Sequence, residues 1–281
     1  MNLQFSETFD LLVQEAHLAK NTLLSGFDLL LKANLNSDLD GYFYSAFFHT
    51  SIGIERLLKL VVVVDHMLGH ELVAPSQGEL KAYGHNLLSL YRKCGAIKTA
   101  WGKGTLELPL ESSMGGRLLI FFDHYATQSR YHNLNSLSSC RPGESPLATW
   151  WQIARDLFEN DVRPQSRESL SRKIYQYLEQ GLHSPYTSEL NFSGHVMTTF
   201  DVMWRQEVIK RAAPLAVWQT ISLLKPIYAM MDEINAQAAF LEHRLGSKLM
   251  VIPHLEDFFE FLLSDRVSTI RRKRWLEIFN G

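Results

Sequence analysis

Apolar residues in this chain recur at three- and four-residue steps over stretches far longer than any strand, and that spacing dictates helices. From Phe9, the positions Leu12, Val13, Ala16, Ala19, Leu23, Phe27, Leu30 and Leu31 paint one stripe along a rod. Asp10, Glu15, Lys20 and Asp28 are among its polar positions. Asn34, Asn36 and Ser37 interrupt the pattern, and Asp38 or Asp40 is placed to cap the next helix. That second helix carries Phe43, Phe47, Ile54, Leu57, Leu58, Val61, Val64 and Leu68. Gly53 lies inside it, at a cost of about 1 kcal/mol relative to alanine, so a neighbouring helix is expected to approach closely there. Glu55 and Lys59, in the favourable i,i+4 order, support the same helix.

Pro75, Ser76 and Gly78 mark a loop, and a third amphipathic segment runs from Glu79 to Tyr91. Gly95, Gly102 and Gly104 flank a short alternating stretch, Thr105 to Leu108, that reads as a small hairpin between helices. A fourth helix is expected from Arg117 to Gln128, and the run from Ser138 to Pro146 reads as a linker. Helical spacing returns over Leu147–Asn160, Ser166–Gln180 and Phe200–Leu245, with shorter helices near Leu255–Leu263 and Val267–Phe279. Pro214 or Pro226 is expected to break or kink the longest of these. The expectation is therefore an all-α protein. A bundle over residues 1–140 is followed by a helical region over 146–281, with Trp150 and Trp151 packed between the two.

With 46% hydrophobic residues the chain can fill a core, so global disorder is excluded. Its 28 basic and 30 acidic residues leave a net charge of -2, which excludes a chain-wide attraction to polyanions. The charge is nevertheless uneven, acidic over residues 1–40 and basic over 266–281. A compact monomer of this mass should expose roughly 12,000 Å². Cys94 and Cys140 are too few for a disulfide framework and suit a reducing compartment. The longest aliphatic run, Leu60 to Val64, is far shorter than the ~20 residues of a membrane span, and no signal peptide is evident. A cytoplasmic location with no membrane association is expected.

One constellation carries functional information. Phe47-Phe48 and Ile52 to Lys59 on the second helix are followed by Tyr83-Gly84-His85-Asn86-Leu87-Leu88-Ser89-Leu90-Tyr91, and later by Ser129-Arg130-Tyr131-His132-Asn133-Leu134. Glycine at 84 permits the turn into a helix, and His85 near its start can tie down the preceding loop. In order and spacing these stretches resemble the HEPN superfamily of helical-bundle domains, over about residues 1–137. The resemblance implies metal-independent RNA cleavage, with no cofactor, at a site paired across a homodimer. It also implies a bacterial-type toxin, defence or stress setting. In active members an arginine is followed after four to six residues by a histidine, and the ribose 2′-hydroxyl attacks. Arg117 and His124 fit that spacing and face one way on a helix, although Leu118 stands where a polar residue is usual. Arg130 and His132 match locally but lie closer together. A guanidinium stabilises the charge on a phosphorane, and imidazole transfers protons near neutral pH.

Two alternatives stand beside this. The bundle can be a non-catalytic docking scaffold whose polar motifs only maintain its architecture, and the C-terminal region can offer a surface to a protein partner. Alternatively, His66 and His70, flanked by Asp65 and Glu71, can share a helix face and bind a metal with His49 or His85. Finally, Arg271, Arg272, Lys273 and Arg274 beside Trp275 form a basic cluster suited to single-stranded nucleic acid, or to the C-terminus of a last helix. Gly102-Lys103-Gly104-Thr105 lacks the rest of a phosphate loop and reads as a turn.

Overall fold

The computed structural model describes residues 4–35, 40–97, 106–138, 144–181 and 184–279 of a chain that is about 75% helix and 4% strand. Helix α1 (Glu7–Lys32) starts where the Ser6 hydroxyl accepts from the Phe9 N–H, with Glu7 and Asp10 in its first turn. Helix α2 (Gly41–Gly69) packs against it with the chain reversed, Gly26 facing Thr50 and Gly53 facing Leu23. A Cβ on Gly53 would lie 2.6 Å from Leu23 Cγ and 2.8 Å from the Leu23 nitrogen. The absent side chain there is thus the space into which α1 fits. Asp40 precedes α2 but makes no side-chain cap bond, and Asp38 lies outside the described residues.

The segment expected as one helix from Glu79 to Tyr91 is two, α3 (Gln77–Ala82) and α4 (Leu87–Gly95). Gly84, at φ +68°, turns the chain between them. Gly102, Gly104 and Thr105 of the expected hairpin lie outside the described residues, and Leu106–Leu108 form no strand. Helix α5 (Met114–His124) passes at Tyr125 into a π-helical turn, Tyr125–Ser129, and α6 (His132–Ser138) comes next. Residues 139–143 of the expected linker, Cys140 among them, lie outside the described residues.

Helices α7 (Pro146–Asp161) and α8 (Pro164–Gln180) both begin on a proline, where no N–H is needed. Beyond them lies a hairpin absent from the sequence reading, β2 (Tyr186–Leu190) pairing antiparallel with β3 (Val196–Thr198). Its loop turns through Gly194 at φ +81°, with the Asn191 side chain accepting from the Ser193 and His195 N–H groups. Helix α9 (Thr199–Arg244) has 46 residues and runs uninterrupted through Pro214 and Pro226, contrary to the expected break. Ala212, Ala213, Ala216 and Val217 are buried around the first proline, and Leu223, Leu224 and Ile227 around the second. Core packing on both flanks outweighs each lost hydrogen bond.

Strand β1 (Gln4–Phe5) pairs in parallel with β4 (Leu249–Met250), tying the start of the chain to its end. A 3₁₀ segment, Leu255–Leu263, leads to α10 (Arg266–Arg271) and α11 (Leu276–Phe279). The last helix is therefore split, and Asp28 of α1 accepts from the Trp275 and Leu276 N–H groups at the restart.

One contiguous core draws on both halves, from Phe27, Phe47 and Phe122 to Ile221, Phe261 and Trp275. Trp150 lies at their junction, with its ring 5.2 Å from Phe47 and 5.4 Å from Phe121. A smaller cluster of Phe158, Leu170, Ile174 and Val208 seats α8. The accessible surface is 15726 Å², well above the roughly 12,000 Å² of a compact chain of this mass. Helix α9, about 69 Å long, carries that second cluster away from a spherical shape.

Gly53→Ala should lower stability by about 1–3 kcal/mol. Gly41→Ala, whose Cβ meets nothing within 4 Å, should be neutral or slightly stabilising. Urea unfolding of the two variants compares them directly, and equal midpoints would show that close approach does not hold α1 to α2.

Candidate functional site

Helix α5 divides its faces by role. Ser113 caps it by accepting from the Gly116 N–H, and Leu118, Leu119, Phe121 and Phe122 enter the core. Arg117, Ile120 and His124, at i, i+3 and i+7, are left on the side facing α7. There Glu144, Thr149, Gln152 and Ile153 are on the opposite side, and the cleft between, which thus also holds a carboxylate, has a volume of about 280 Å³. The π-helical turn then acts on the end of the wall. By widening the backbone period to i→i+5 it carries Ser129 back over His124, and Ser129 Oγ and His124 Nδ1 share a 2.8 Å hydrogen bond. With Nδ1 committed, Nε2 is the ring nitrogen left to exchange a proton with a ligand. Arg117 Nη1 donates to Asp156 Oδ2 at 2.6 Å, an ion pair that bridges α5 and α7 and is about one-third exposed on each side.

Of the sequence-proposed pairs, the structure brings Arg117 and His124 to one cleft and leaves the other pair outside its described lining. Arg130 lies over the Phe48 ring, 5.1 Å from its centroid, with its Nε buried and unpartnered. His132 is half-buried at the start of α6, where its carbonyl accepts from the Ser136 hydroxyl. Ser129 entered the sequence reading only as the first residue of the Ser129–Leu134 stretch, with no role of its own, and Gln152 and Asp156 were not singled out. The signal was present on α7, where Thr149, Gln152, Ile153 and Asp156 share one face at helical spacing.

Elsewhere the basic cluster and the histidine pair have structural partners. Trp275 is fully buried against Phe27 and Phe279, so the base-stacking role suggested for it is corrected to core packing. Arg272 is held over the same two rings, 4.8 Å from Trp275 and 4.7 Å from Phe279, and Arg274 pairs with Glu277. Arg271 and Lys273 are exposed. His66 and His70 stack ring on ring with centroids 3.9 Å apart, and His70 Nδ1 donates to the His66 carbonyl at 2.7 Å. Parallel imidazoles do not converge on an ion, and among the described residues no three His, Cys, Asp or Glu side chains gather as metal ligands.

The Gly-His-Asn stretch holds the bundle together from a direction the sequence did not reveal. His85 Nδ1 lies 2.8 Å from Glu55 Oε1 on α2, not on the preceding loop, and Lys59 donates to the same oxygen at 2.8 Å. Asn86 caps α4 by accepting from the Ser89 N–H, and donates through Nδ2 to Asp123 of α5. Asp123, 8% exposed, also accepts from the Leu87 and Leu88 N–H groups. Asp123 and His124 are adjacent in sequence but face different ways, one anchoring α5 to α4 and the other lining the cleft.

No family model, curated protein or solved structure matches this chain. No helix is long and apolar enough among the described residues to cross a membrane.

Asp123→Ala should cost about 2–3 kcal/mol, since it strips charge-assisted bonds from three donors. His85→Ala should cost less than about 1 kcal/mol, because its ring is exposed and Glu55 keeps Lys59. Denaturant midpoints in the reverse order would remove Asp123 from its anchoring role. Burial pushes the Tyr91 and Tyr125 hydroxyls, and the Cys94 thiol, up to about 12. Once the pH passes the unfolded values, the unfolded chain loses these protons first, so stability should fall as pH rises toward 12. Urea midpoints measured at pH 8 and at about pH 11 test the sign, and a higher midpoint at the alkaline pH contradicts it.

Proposed function

We propose that the chain is an HEPN-like, metal-independent ribonuclease that binds RNA at the Arg117–His124 cleft and works as a homodimer. The observation that carries this reading is the shared cleft, in which a guanidinium and an imidazole two helical turns apart face one space. Arg117 binds the scissile phosphate with its fork of donors, exchanging the Asp156 carboxylate for a group whose negative charge grows as the phosphorane forms. The ribose 2′-oxygen bonds to phosphorus and the bond to the 5′-oxygen breaks, leaving a 2′,3′-cyclic phosphate and a 5′-hydroxyl. His124, oriented by Ser129, accepts the 2′-hydroxyl proton or supplies one to the leaving oxygen, and its copy in the second subunit performs the other transfer. Arg130 and His132 come directly after Ser129 and extend the RNA contact without entering the chemistry. The dimer is supported by Tyr131, Leu134 and Leu137, exposed by 62%, 64% and 86% at i, i+3 and i+6 in the segment that follows Ser129. A toxin, defence or stress role rests on the resemblance.

One observation favours a second reading, a non-catalytic module that docks a protein. The 2.6 Å pair with Asp156 gives Arg117 a structural task that needs no substrate.

Arg117→Ala and His124→Gln should each lower RNA cleavage by about 100-fold or more, with melting curves close to the parent and no effect of EDTA on the parent. A parent that leaves RNA uncut, or variants that cut as well as it does, overturns the nuclease reading and leaves the docking module.

A further inference from the structure

A cavity of about 710 Å³ has no part in the ribonuclease reading. It lies between α9 and the segment that leads into α5, and its size is that of a small-molecule site, ~300–1,000 Å³. Its floor is a face of α9 running from Gln219 to Glu233, about 21 Å along the helix axis, through Ser222, Pro226 and Met230. Leu106, Pro109 and Met114 form the facing wall. The space is long, narrow and mostly apolar.

Its charged groups are one-sided. The described residues lining it include the carboxylates of Glu107 and Glu233 and no lysine, arginine or histidine. One oxygen of Glu233, Oε2, is sealed from solvent and has no hydrogen-bond partner. That oxygen faces away from the water-accessible space, so a cation in the cavity acts on the Glu233 carboxylate from its other side and offsets the cost of the buried, unpartnered oxygen. Pro226 adds to the imbalance. Lacking an N–H, it leaves the Ser222 carbonyl without its intrahelical donor, while the next carbonyl, Leu223, accepts from the Tyr91 hydroxyl at 3.1 Å. The neutral polar groups of Gln219 and Ser222 bring donors as well as acceptors, so the imbalance is one of charge: the described charged lining of this apolar trough is anionic.

We propose that this cavity binds a small molecule with a protonated primary amine on an elongated apolar body. The ammonium pairs with Glu233, and the body lies along Pro226 and Met230 against Leu106 and Met114. The proposal is independent of the ribonuclease reading, because the cavity and the cleft share no described lining residue.

Calorimetric titration of the full chain with octylamine, below its aggregation concentration, tests it against 1-octanol and octanoate. Octylamine should bind about tenfold or more tighter than octanol, and octanoate should not bind. Glu233→Gln, which keeps the shape and removes the charge, should bring octylamine down to the octanol level. Ala229→Trp, at the exposed lip of the trough, should weaken both octylamine and octanol without altering the melting curve. Equal binding of the amine and the carboxylate overturns the proposal, as does undiminished octylamine binding by Glu233→Gln. Binding of spermine without octylamine also overturns it, since it would leave the apolar body without a role.

Discussion

The contact between α1 and α2 at Gly26 and Gly53 sets the geometry of everything built on it. A Cβ at either glycine would lie 2.8 Å from a backbone nitrogen of the other helix, so the two backbones approach more closely than a larger residue at those positions permits. That approach fixes where the remaining face of α2 points. It turns Leu58 toward Cys94 of α4, whose thiol donates to the Leu58 carbonyl, and Phe47 toward Phe121, Tyr125 and Trp150. Helix α5 is then located by apolar packing on one side and by Asp123 on the other. A cleft lined by Arg117 and His124 is a consequence of that docking, because the polar face of α5 is what remains once its core face and its anchor are satisfied.

The C-terminal region completes the same core. The acidic excess at one end of the chain and the basic excess at the other become meaningful in space, since Asp28 of α1 caps α11 and β1 pairs with β4. The carboxylate's two bonds are to backbone N–H groups, so what the charge asymmetry achieves there is a helix start rather than a row of ion pairs. The four neighbouring cations divide accordingly, Arg272 covering aromatic rings of the core, Arg274 pairing with Glu277, and Arg271 and Lys273 remaining in solvent.

The repeat of apolar residues made most helices legible, and Gly53 revealed a close helix contact before any coordinates. What it could not reveal were features decided by interactions between distant segments. Pro214 and Pro226 carry the local signature of a helix end, yet the burial of their neighbours keeps α9 continuous, and burial is a property of the whole fold. Trp275 beside four cations reads equally well as a stacking platform or a core residue, and only the position of Phe27, nearly 250 residues earlier in the chain, decides. The π-helical turn leaves no mark in the pattern of apolar residues, although it brings Ser129 to His124. The hairpin was readable in principle, from Asn191 and Gly194 between short alternating runs, but its strands are brief and mostly exposed, so burial periodicity was weak.

Helix α5 brings two opposite chemistries onto one rod. Toward its start, Met114 and Gly115 border a trough whose described ionisable lining is anionic, while Arg117 and His124 border a cleft that offers a guanidinium and an imidazole. The separation is set by helical pitch. Gly115 and Arg117 differ by two residues and so point about 200° apart around the axis, one toward α9 and the other toward α7. Because the rod is held near one end by Asp123 and sealed along its core face by Leu118 and Phe122, neither face can turn to serve the other. The cleft, whose described acidic and basic lining residues are Arg117, His124 and Glu144, and the trough, lined by Glu107 and Glu233, are therefore fixed on different sides of one helix.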